Sequence, residues 1–164
     1  MSTLPKNDAI VVRDFMVSKL ITLSPEEDAL EAIRKLLKNR ISGAPVVDTD
    51  GTYLGVFSEK TSMKALTDAA YSQLPSNRVG AFMNTQLERT ITEETDLLEC
   101  MQIFLNTPFR RLPVLKEGKL IGQVSRRDVL CAAIKVIDAQ QGHDGKYVMY
   151  FSALFDQENA PVKE

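Results

Sequence analysis

The segment Thr22–Glu31 has the sequence T-L-S-P-E-E-D-A-L-E, and the segment Thr90–Glu99 has the similar sequence T-I-T-E-E-T-D-L-L-E. The match runs from Thr22–Val46 to Thr90–Val114 at an offset of 68 residues, and after a one-residue deletion it continues at an offset of 67. The identical pairs are Thr22/Thr90, Glu26/Glu94, Asp28/Asp96, Leu30/Leu98, Glu31/Glu99, Leu37/Leu105, Pro45/Pro113, Val46/Val114, Gly51/Gly118, Gly55/Gly122 and Ser58/Ser125. Two copies are too few for a solenoid, so we expect the units to pack against each other about a pseudo-two-fold axis. The crevice between them is then the natural place for a ligand.

The composition of this 164-residue chain, with 44% hydrophobic residues, is that of an ordinary globular protein. The length suits one compact domain or two tightly packed halves. A net charge of -2 argues against nonspecific nucleic-acid binding, which needs a strongly basic surface. The chain has no run of about 18 apolar residues, and residues 1–8 lack the apolar region of a signal peptide. We therefore expect no membrane span and a cytoplasmic location.

Cysteine and histidine are scarce in the sequence. Cys100 and Cys131 are the only cysteines, and both fall in predicted amphipathic helices, which favours buried reduced thiols over a disulfide. His143 is the only histidine, and it lies in a glycine-flanked segment without cysteine neighbours. We expect no metal site, because a structural site needs three or four converging ligands. No arrangement typical of nucleophilic catalysis is present either.

Each copy is predicted to fold in the order β-α-β-β-α. In the first copy, the predicted elements are a strand at Leu20–Leu23, a helix from Ser24 to Asn39–Arg40, strands at Ala44–Val47 and Tyr53–Phe57 around the turn D-T-D-G, and a helix from Ser58 to about Tyr71. Ser24 is the expected N-cap of the first helix, with Pro25 at N1 and Glu27 at N3. Its apolar positions are Ala29, Ile33, Leu36 and Leu37.

The second copy repeats this order. Its predicted elements are a strand at Arg89–Ile91, a helix starting at Thr92–Thr95 with Leu98, Met101, Phe104 and Leu105 on one face, strands at Arg111–Leu115 and Leu120–Val124 around K-E-G-K, and a helix from Ser125 with Val129, Leu130, Ala133, Ile134 and Ile137 at helical spacing. A turn-rich linker, S-Q-L-P-S-N-R, joins the copies.

The segment 140–164 has no counterpart in either copy. It contains the apolar and aromatic run Tyr147–Phe155 and ends in polar residues. This run either covers an exposed face of the module or pairs with a second subunit, or else it is a docking peptide for another protein.

The ordered set of motifs resembles a tandem pair of CBS domains, also called a Bateman module. The resemblance rests on the lead-ins ending in F-M, the T-[IL]-[ST]-x-E step, the strands G-A-P-V-V and R-L-P-V-L, and the G-x-[FV]-S closing stretches, each found twice. It gives an α/β (α+β) fold with a first motif at 10–71 and a second at 79–138. It implies a small stand-alone regulatory module without catalysis. Such a module binds an adenosine-containing ligand of the AMP, ADP or ATP class in clefts between the motifs, and it dimerises into a flat disc.

A nucleotide needs a carboxylate for its ribose hydroxyls, an apolar slot for its base and positive charge for its phosphates. In the stretch Gly122–Asp128, Ser125 is the expected N-cap of the last helix and Asp128 lies at N3, near free N–H groups that favour an anion. Asp128 can accept two ribose hydroxyls, and Ser125 can reach phosphate. The resemblance implies that Asp128 binds the ribose, as the matching aspartate does in CBS domains. The alternative is that Ser-x-x-Asp is simply a capping box.

The first copy departs from this pattern, because Thr61 stands where the acid should be. A threonine offers one hydroxyl and no charge, so we expect its cleft to bind ribose weakly or to be empty. The result is one good cleft and one degraded cleft.

The resemblance implies that the good cleft borrows residues from both motifs. It would combine Val124, Ser125 and Asp128 with Thr22, Leu23, Ile41, Ser42, Gly43, Ala44 and Pro45. Gly43 and Ala44 have little side chain, so a flat base can approach the backbone closely, between Ile41 and Leu23. The alternative is a turn that leads into a core strand.

Arg110 and Arg111 occupy the matching place in the second copy. They are either solvated charges, or Arg111 points at the central crevice and meets phosphates, which suit the guanidinium fork. Arg127, or its neighbour Arg126, could add charge there.

The leading hypothesis is a sensor that binds an adenine nucleotide as a regulatory ligand and modulates an effector protein not identified by the sequence. We also expect a homodimer through uncovered helix faces that carry Met63, Leu66 and Tyr71, and Leu130, Ile134 and Ile137. The alternative is a ligand-free dimeric adaptor that docks a partner through its aromatic tail.

Overall fold

The computed structural model describes residues 9–71, 77–85 and 89–140. Its elements, in chain order, are α1 (Val12–Phe15), α2 (Ala29–Asn39), β1 (Gly43–Val47), β2 (Tyr53–Ser58), α3 (Glu59–Tyr71), α4 (Val79–Phe82), β3 (Ile91–Thr92), α5 (Leu97–Asn106), β4 (Arg111–Lys116), β5 (Lys119–Ser125) and α6 (Arg126–Gln140). The predicted mixed fold of two repeats is confirmed.

Each repeat is built on an antiparallel hairpin with helices packed on it. The β1–β2 hairpin pairs Gly43 with Ser58, and the β4–β5 hairpin pairs Arg111 with Ser125 at the matching position. In the second repeat, β3 adds a parallel strand beside β4. The predicted first strand, Leu20–Leu23, is reduced to a single parallel bridge between Leu23 and Val46.

The predicted starts of α2 and α5 are wrong by about one helical turn. Asp28 caps α2, since its Oδ1 accepts the N–H groups of Leu30 and Glu31 at 2.9 and 3.1 Å. Asp96 caps α5 in the same way. The Ser-x-x-Glu signature closes a separate turn, in which the Ser24 N–H donates to Glu27 Oε2 at 3.2 Å. Ser24 and Asp28 are both suitable N-cap residues, and the structure uses Asp28.

The buried faces of the helices differ in detail from the predicted ones. In α2 the buried residues are Ala29, Ala32 and Leu36, while Leu37 is 69% exposed. In α5 they are Leu97, Cys100 and Phe104, while Leu105 is 83% exposed. The helical spacing groups Leu37 and Leu105 with the apolar residues of their helices, but both side chains are exposed, so this prediction is wrong for both members of the pair.

The two repeats exchange their first segments. Val12 of α1 is fully buried in the core of the second half, and its N–H donates to the Thr95 carbonyl at 2.8 Å. Val79 of α4 is fully buried in the core of the first half, and its N–H donates to the Glu27 carbonyl at 2.9 Å. Burial of each valine side chain stabilises its docking by about 1.5–3 kcal/mol. Each lead-in therefore belongs by sequence to one repeat and by packing to the other.

The contacts between the hairpins are reciprocal, as a two-fold axis requires. Thr52 forms a bridge with Lys119, its own counterpart in the second repeat. On one side the Tyr53 N–H donates to the Gly118 carbonyl at 3.0 Å, and on the other the Leu120 N–H donates to the Gly51 carbonyl at 3.1 Å. The pseudo-two-fold axis passes near the Thr52–Lys119 bridge.

Both cysteines are free thiols, but only one of them is buried. Cys100 lies in the second core, and its burial raises the pKa of the thiol to about 12. Cys131 is exposed on α6, so the expectation that it is buried is wrong.

Several predictions concern residues outside the described ranges. These are the amino-terminal segment 1–8, the linker residues 72–76, His143 and the aromatic run of the 140–164 segment. Within the described ranges, no helix combines the length and the apolar character needed to cross a membrane. No group of metal-binding side chains converges there either.

Candidate functional site

A cavity of about 400 Å³ lies between the two repeats. One wall is the β1 segment Ser42–Pro45, and the opposite wall carries its counterparts Arg110, Arg111 and Pro113 at β4. Val56 and its counterpart Gln123 also line the cavity. Because equivalent residues face each other, the cavity straddles the pseudo-two-fold axis. We call it the central cavity.

The central cavity is strongly basic. Its charged lining residues are Lys60, Arg89, Arg110 and Arg111, with Glu59 as the carboxylate among them. This excess of positive charge suits a ligand with negative groups, and guanidinium groups bind phosphate oxygens in a bidentate way.

Arg89 is held against the wall by an aromatic ring. Its Cζ lies 4.3 Å from the centroid of the Phe109 ring, which is a cation–π contact. Its Nε is buried and has no hydrogen-bond partner in the described part of the chain. The stacked guanidinium therefore presents a donor group without an acceptor. Arg89 was not predicted as a site residue. The available signal was the contrast with its counterpart Ile21, where the first repeat has an apolar side chain in place of a cation.

A second cavity, of about 290 Å³, continues from the central one. Both are lined by Val56, Ser58, Lys60 and Arg89, and the second adds Thr61, Lys64 and Asn84. We call it the Thr61 cleft. Lys60 and Lys64 are further lining residues that the prediction did not include.

Asp128 forms a complete capping box with Ser125. Its Oδ2 accepts the Ser125 N–H at 2.8 Å and the Ser125 Oγ–H at 2.7 Å, while the Asp128 N–H donates to Ser125 Oγ at 3.2 Å. The capping interpretation of Ser-x-x-Asp therefore holds. It leaves Oδ1 without a hydrogen bond among the described residues, and the side chain is only partly buried. One carboxylate oxygen stays available to a ligand.

Thr61 makes the same cap with a hydroxyl. Its Oγ1 accepts the Ser58 N–H at 2.8 Å and donates to the Ser58 carbonyl at 3.0 Å. Its single proton and one lone pair are thereby used. Thr61 has no counterpart to the unused oxygen of Asp128.

The central cavity brings together six of the thirteen predicted site residues: Ser42, Gly43, Ala44, Pro45, Arg110 and Arg111. Leu23 and Val124 are almost fully buried members of the two cores. Thr22, Ile41, Ser125 and Asp128 are partly buried and Arg127 is exposed, and none of the five lines either cavity described above.

The small size of Gly43 has a reason within the fold. A Cβ at this position would lie 3.2 Å from the Phe57 carbonyl oxygen and 3.3 Å from the Ser58 Cα. A glycine therefore lets β1 and β2 approach closely at the edge of the central cavity.

Tyr53 is the first residue of β2. It is 4% exposed, and its hydroxyl has no hydrogen-bond partner among the described residues. Burial raises the pKa of this phenol to about 12, and the positive charge of Arg89 opposes the shift in part. Tyr53 is therefore neutral at physiological pH.

A duplicated hairpin-and-helix unit with exchanged lead-ins and a basic cavity on its pseudo-two-fold axis defines a class of tandem-repeat module. The model of the CBS domain family matches residues 12–67 and again 79–135. The chain belongs to the CBS domain family and contains a CBS pair.

Similar proteins share this architecture. Chloroplastic CBSX1 of Arabidopsis thaliana is 29% identical over 163 residues, which cover 82% of this chain and 69% of CBSX1. An uncharacterised 17.7 kDa protein of Acidianus ambivalens is 27% identical over 141 residues, which cover 85% and 83% of the two chains. A crystal structure of CBSX2 in complex with AMP superposes with a TM-score of 0.69 at 30% identity, covering 77% of this chain and 98% of that one.

Proposed function

We propose that this CBS pair is a regulatory module that binds an adenosine-containing nucleotide between its repeats. The observation that carries the proposal is the central cavity, in which guanidinium groups of one repeat face the small-residue strand of the other. The cavities carry no histidine or cysteine side chain among their described lining residues, and binding alone requires no catalytic group.

The phosphate end of the ligand would occupy the central cavity. Arg111 is partly buried at the start of β4, and Arg89 is fixed on Phe109, so both are more ordered than freely solvated side chains. A preordered guanidinium loses little conformational freedom on binding, which favours charge-assisted hydrogen bonds to phosphate.

The ribose would bind at Asp128. Because the capping box uses Oδ2, the carboxylate is already oriented, and Oδ1 can accept a hydroxyl without breaking the cap. A hydrogen bond to a charged acceptor contributes about 1.5–3 kcal/mol. The predicted partners for the base remain part of this proposal. Thr22 and Ile41 are partly buried, whereas Leu23 and Val124 are buried in the cores behind the proposed slot and would support it from within.

The likeness to CBSX2, which has been crystallised with AMP, supports an adenine nucleotide as the ligand. The two proteins are similar in sequence as well as in fold, with 30% identity, and the superposition covers 98% of the CBSX2 chain.

Regulation would follow from contact with both repeats at once. A ligand shifts the equilibrium between two conformations by its difference in affinity for them. A nucleotide that bridges Arg111 and β1 stabilises the arrangement in which the two walls lie close. The receiver of this change would be an effector protein, and we propose a cytoplasmic location.

We also propose a homodimer through α3 and α6. Met63 is 67% exposed and Leu66 is 47% exposed on α3, while Leu130 and Ile134 are 64% and 54% exposed on α6. Met63 and Leu130 occupy matching positions of the two repeats, and the exposed apolar side chains of the two helices form a surface that a second copy can cover.

Calorimetric titration with AMP, ADP, ATP and adenosine tests the nucleotide proposal. We expect saturable binding of the nucleotides and weaker binding of adenosine, because adenosine lacks the phosphates. Substitution Arg111→Gln should weaken AMP but leave adenosine within twofold. Absence of binding for all four ligands, with no rise in melting temperature, would instead favour the ligand-free adaptor.

A further inference from the structure

The Thr61 cleft differs in charge from the place that matches it in the second repeat. The structural equivalence is set by register: Val56 bridges Asn84, and the counterpart Gln123 bridges Val17. The lining residues Lys60, Thr61, Lys64, Asn84 and Arg89 correspond in this alignment to the following residues: Arg127, Asp128, Cys131, Val17 and Ile21.

The differences in charge between the two places all make the Thr61 cleft more positive. A carboxylate is replaced by a hydroxyl at Thr61, and uncharged side chains are replaced by cations at Lys64 and Arg89. The matched set in the second repeat has one cation and one carboxylate, which cancel. The Thr61 cleft has three cations, and no carboxylate lines it.

The cleft that lacks the ribose-binding carboxylate is therefore more positively charged than its counterpart in the second repeat. Thr61 already uses its hydroxyl proton in the cap, and Ser58 N–H and Thr61 N–H are occupied by the same cap. The Glu59 N–H donates to the Ser42 carbonyl at 2.9 Å. A ligand would be held by side-chain cations rather than by the first backbone amides of α3.

Two of the cations have features that bear on binding. Arg89 is stacked on Phe109 and keeps a buried Nε without an acceptor among the described residues. Lys64 lies 3.6 Å from Asp68, an exposed pair one turn apart on α3 that contributes little and can yield to a stronger anion.

We propose that the Thr61 cleft is not an empty ribose site but a separate binding site for a diphosphate group that brings no ribose contact with it. The cations Lys60, Lys64 and Arg89, which all line this cleft, hold the phosphate oxygens. The module then senses two chemically different ligands. Lys60 and Arg89 also line the central cavity, so a nucleotide phosphate bound there competes with the diphosphate, whereas Asp128 takes no part in diphosphate binding.

The test is calorimetric titration with pyrophosphate at low salt, using the whole chain. The variants Lys64→Ala and Thr61→Asp change residues that line the Thr61 cleft but not the central cavity. Each should weaken pyrophosphate by about tenfold or more, the effect of losing one charge-assisted contact or adding a repelling carboxylate. The control Lys135→Ala removes one exposed cation of α6 that lines neither cavity, and it should leave affinity within twofold.

A second comparison separates free diphosphate from the tail of a nucleotide. In Asp128→Ala, which lacks the ribose acceptor, ADP should bind no more tightly than pyrophosphate. Tighter ADP binding there would overturn the proposal, as would wild-type protein that ignores pyrophosphate or equal losses in Lys64→Ala and Lys135→Ala. Loss of AMP binding in Asp128→Ala with pyrophosphate binding intact supports a diphosphate site that does not use Asp128.

Discussion

Replacing Asp128 by alanine separates the helix cap that the structure shows from the ribose contact that we propose. Oδ2 closes the capping box with Ser125, and Oδ1 is left for a ligand. Loss of the cap should lower stability by about 1 kcal/mol, which corresponds to a fall in melting temperature of roughly 2–4 °C for a chain of this size. Loss of a hydrogen bond from ribose to a charged acceptor should cost about 1.5–3 kcal/mol of AMP binding, or roughly a tenfold to 150-fold rise in Kd.

The matched control is Asp96→Ala in the same half of the molecule. Asp96 caps α5 through the Glu99 N–H at 2.8 Å, and it lines neither cavity. Asp96→Ala should lower the melting temperature by a similar amount and leave the Kd for AMP unchanged. Calorimetric titration and a thermal melt of both variants provide the two readings. If the two variants bind AMP equally well, Asp128 is only a helix cap and the ribose assignment is wrong.

Three further predictions concern a buried tyrosine, a close backbone contact and the proposed dimer. Tyr53→Phe should be neutral or slightly stabilising at pH 7, because the hydroxyl it removes is buried without a hydrogen-bond partner among the described residues. The pKa of Tyr53 is about 12 in the folded protein, above the unfolded value of 10.0, so the wild type should lose about 2–3 kcal/mol of folding stability between pH 10 and 12. The variant should not lose this stability, and urea melts at alkaline pH would show the difference. Gly55→Ala should destabilise by about 1–3 kcal/mol and by more than Gly122→Ala, because a Cβ at Gly55 would lie 2.3 Å from the Asn84 carbonyl oxygen, whereas at Gly122 the nearest atom belongs to a flexible methionine side chain. Leu130→Glu should shift the mass measured by light scattering at micromolar concentration from dimer to monomer, and a dimer that persists would contradict the proposed interface.

Local sequence signals predicted the hairpins well. The turns D-T-D-G and K-E-G-K place Gly51 and Gly118 at positive φ values of 87° and 77°, which glycine adopts without strain. The strands on either side then follow from their apolar residues, and their ends agree with the structure to within one or two residues.

The exchange of lead-ins was not predicted, because nothing local distinguishes packing on one twin from packing on the other. Val12 and Val79 are apolar in either arrangement. Long-range contacts decide between them, among them the hydrogen bonds from Val12 to Thr95 and from Val79 to Glu27. The same limit applies to Arg89, whose role depends on Phe109 lying beneath it in the folded chain.

The candidate site was predicted in part for a similar reason. The duplication indicated that residues 42–45 and Arg110–Arg111 occupy equivalent positions, and the pseudo-two-fold axis brings them to one cavity. The placement of Asp128 relative to a ligand depends on contacts that helix capping does not determine. Its ribose role is a proposal that rests on Oδ1, the carboxylate oxygen that the cap does not use.

A crystal structure of the chain grown with AMP tests the central claim most directly. The account predicts ribose hydroxyl oxygens within about 3 Å of the Asp128 carboxylate and the phosphate beside Arg111 in the central cavity. AMP bound with its sugar remote from Asp128, or its phosphate outside that cavity, would contradict it.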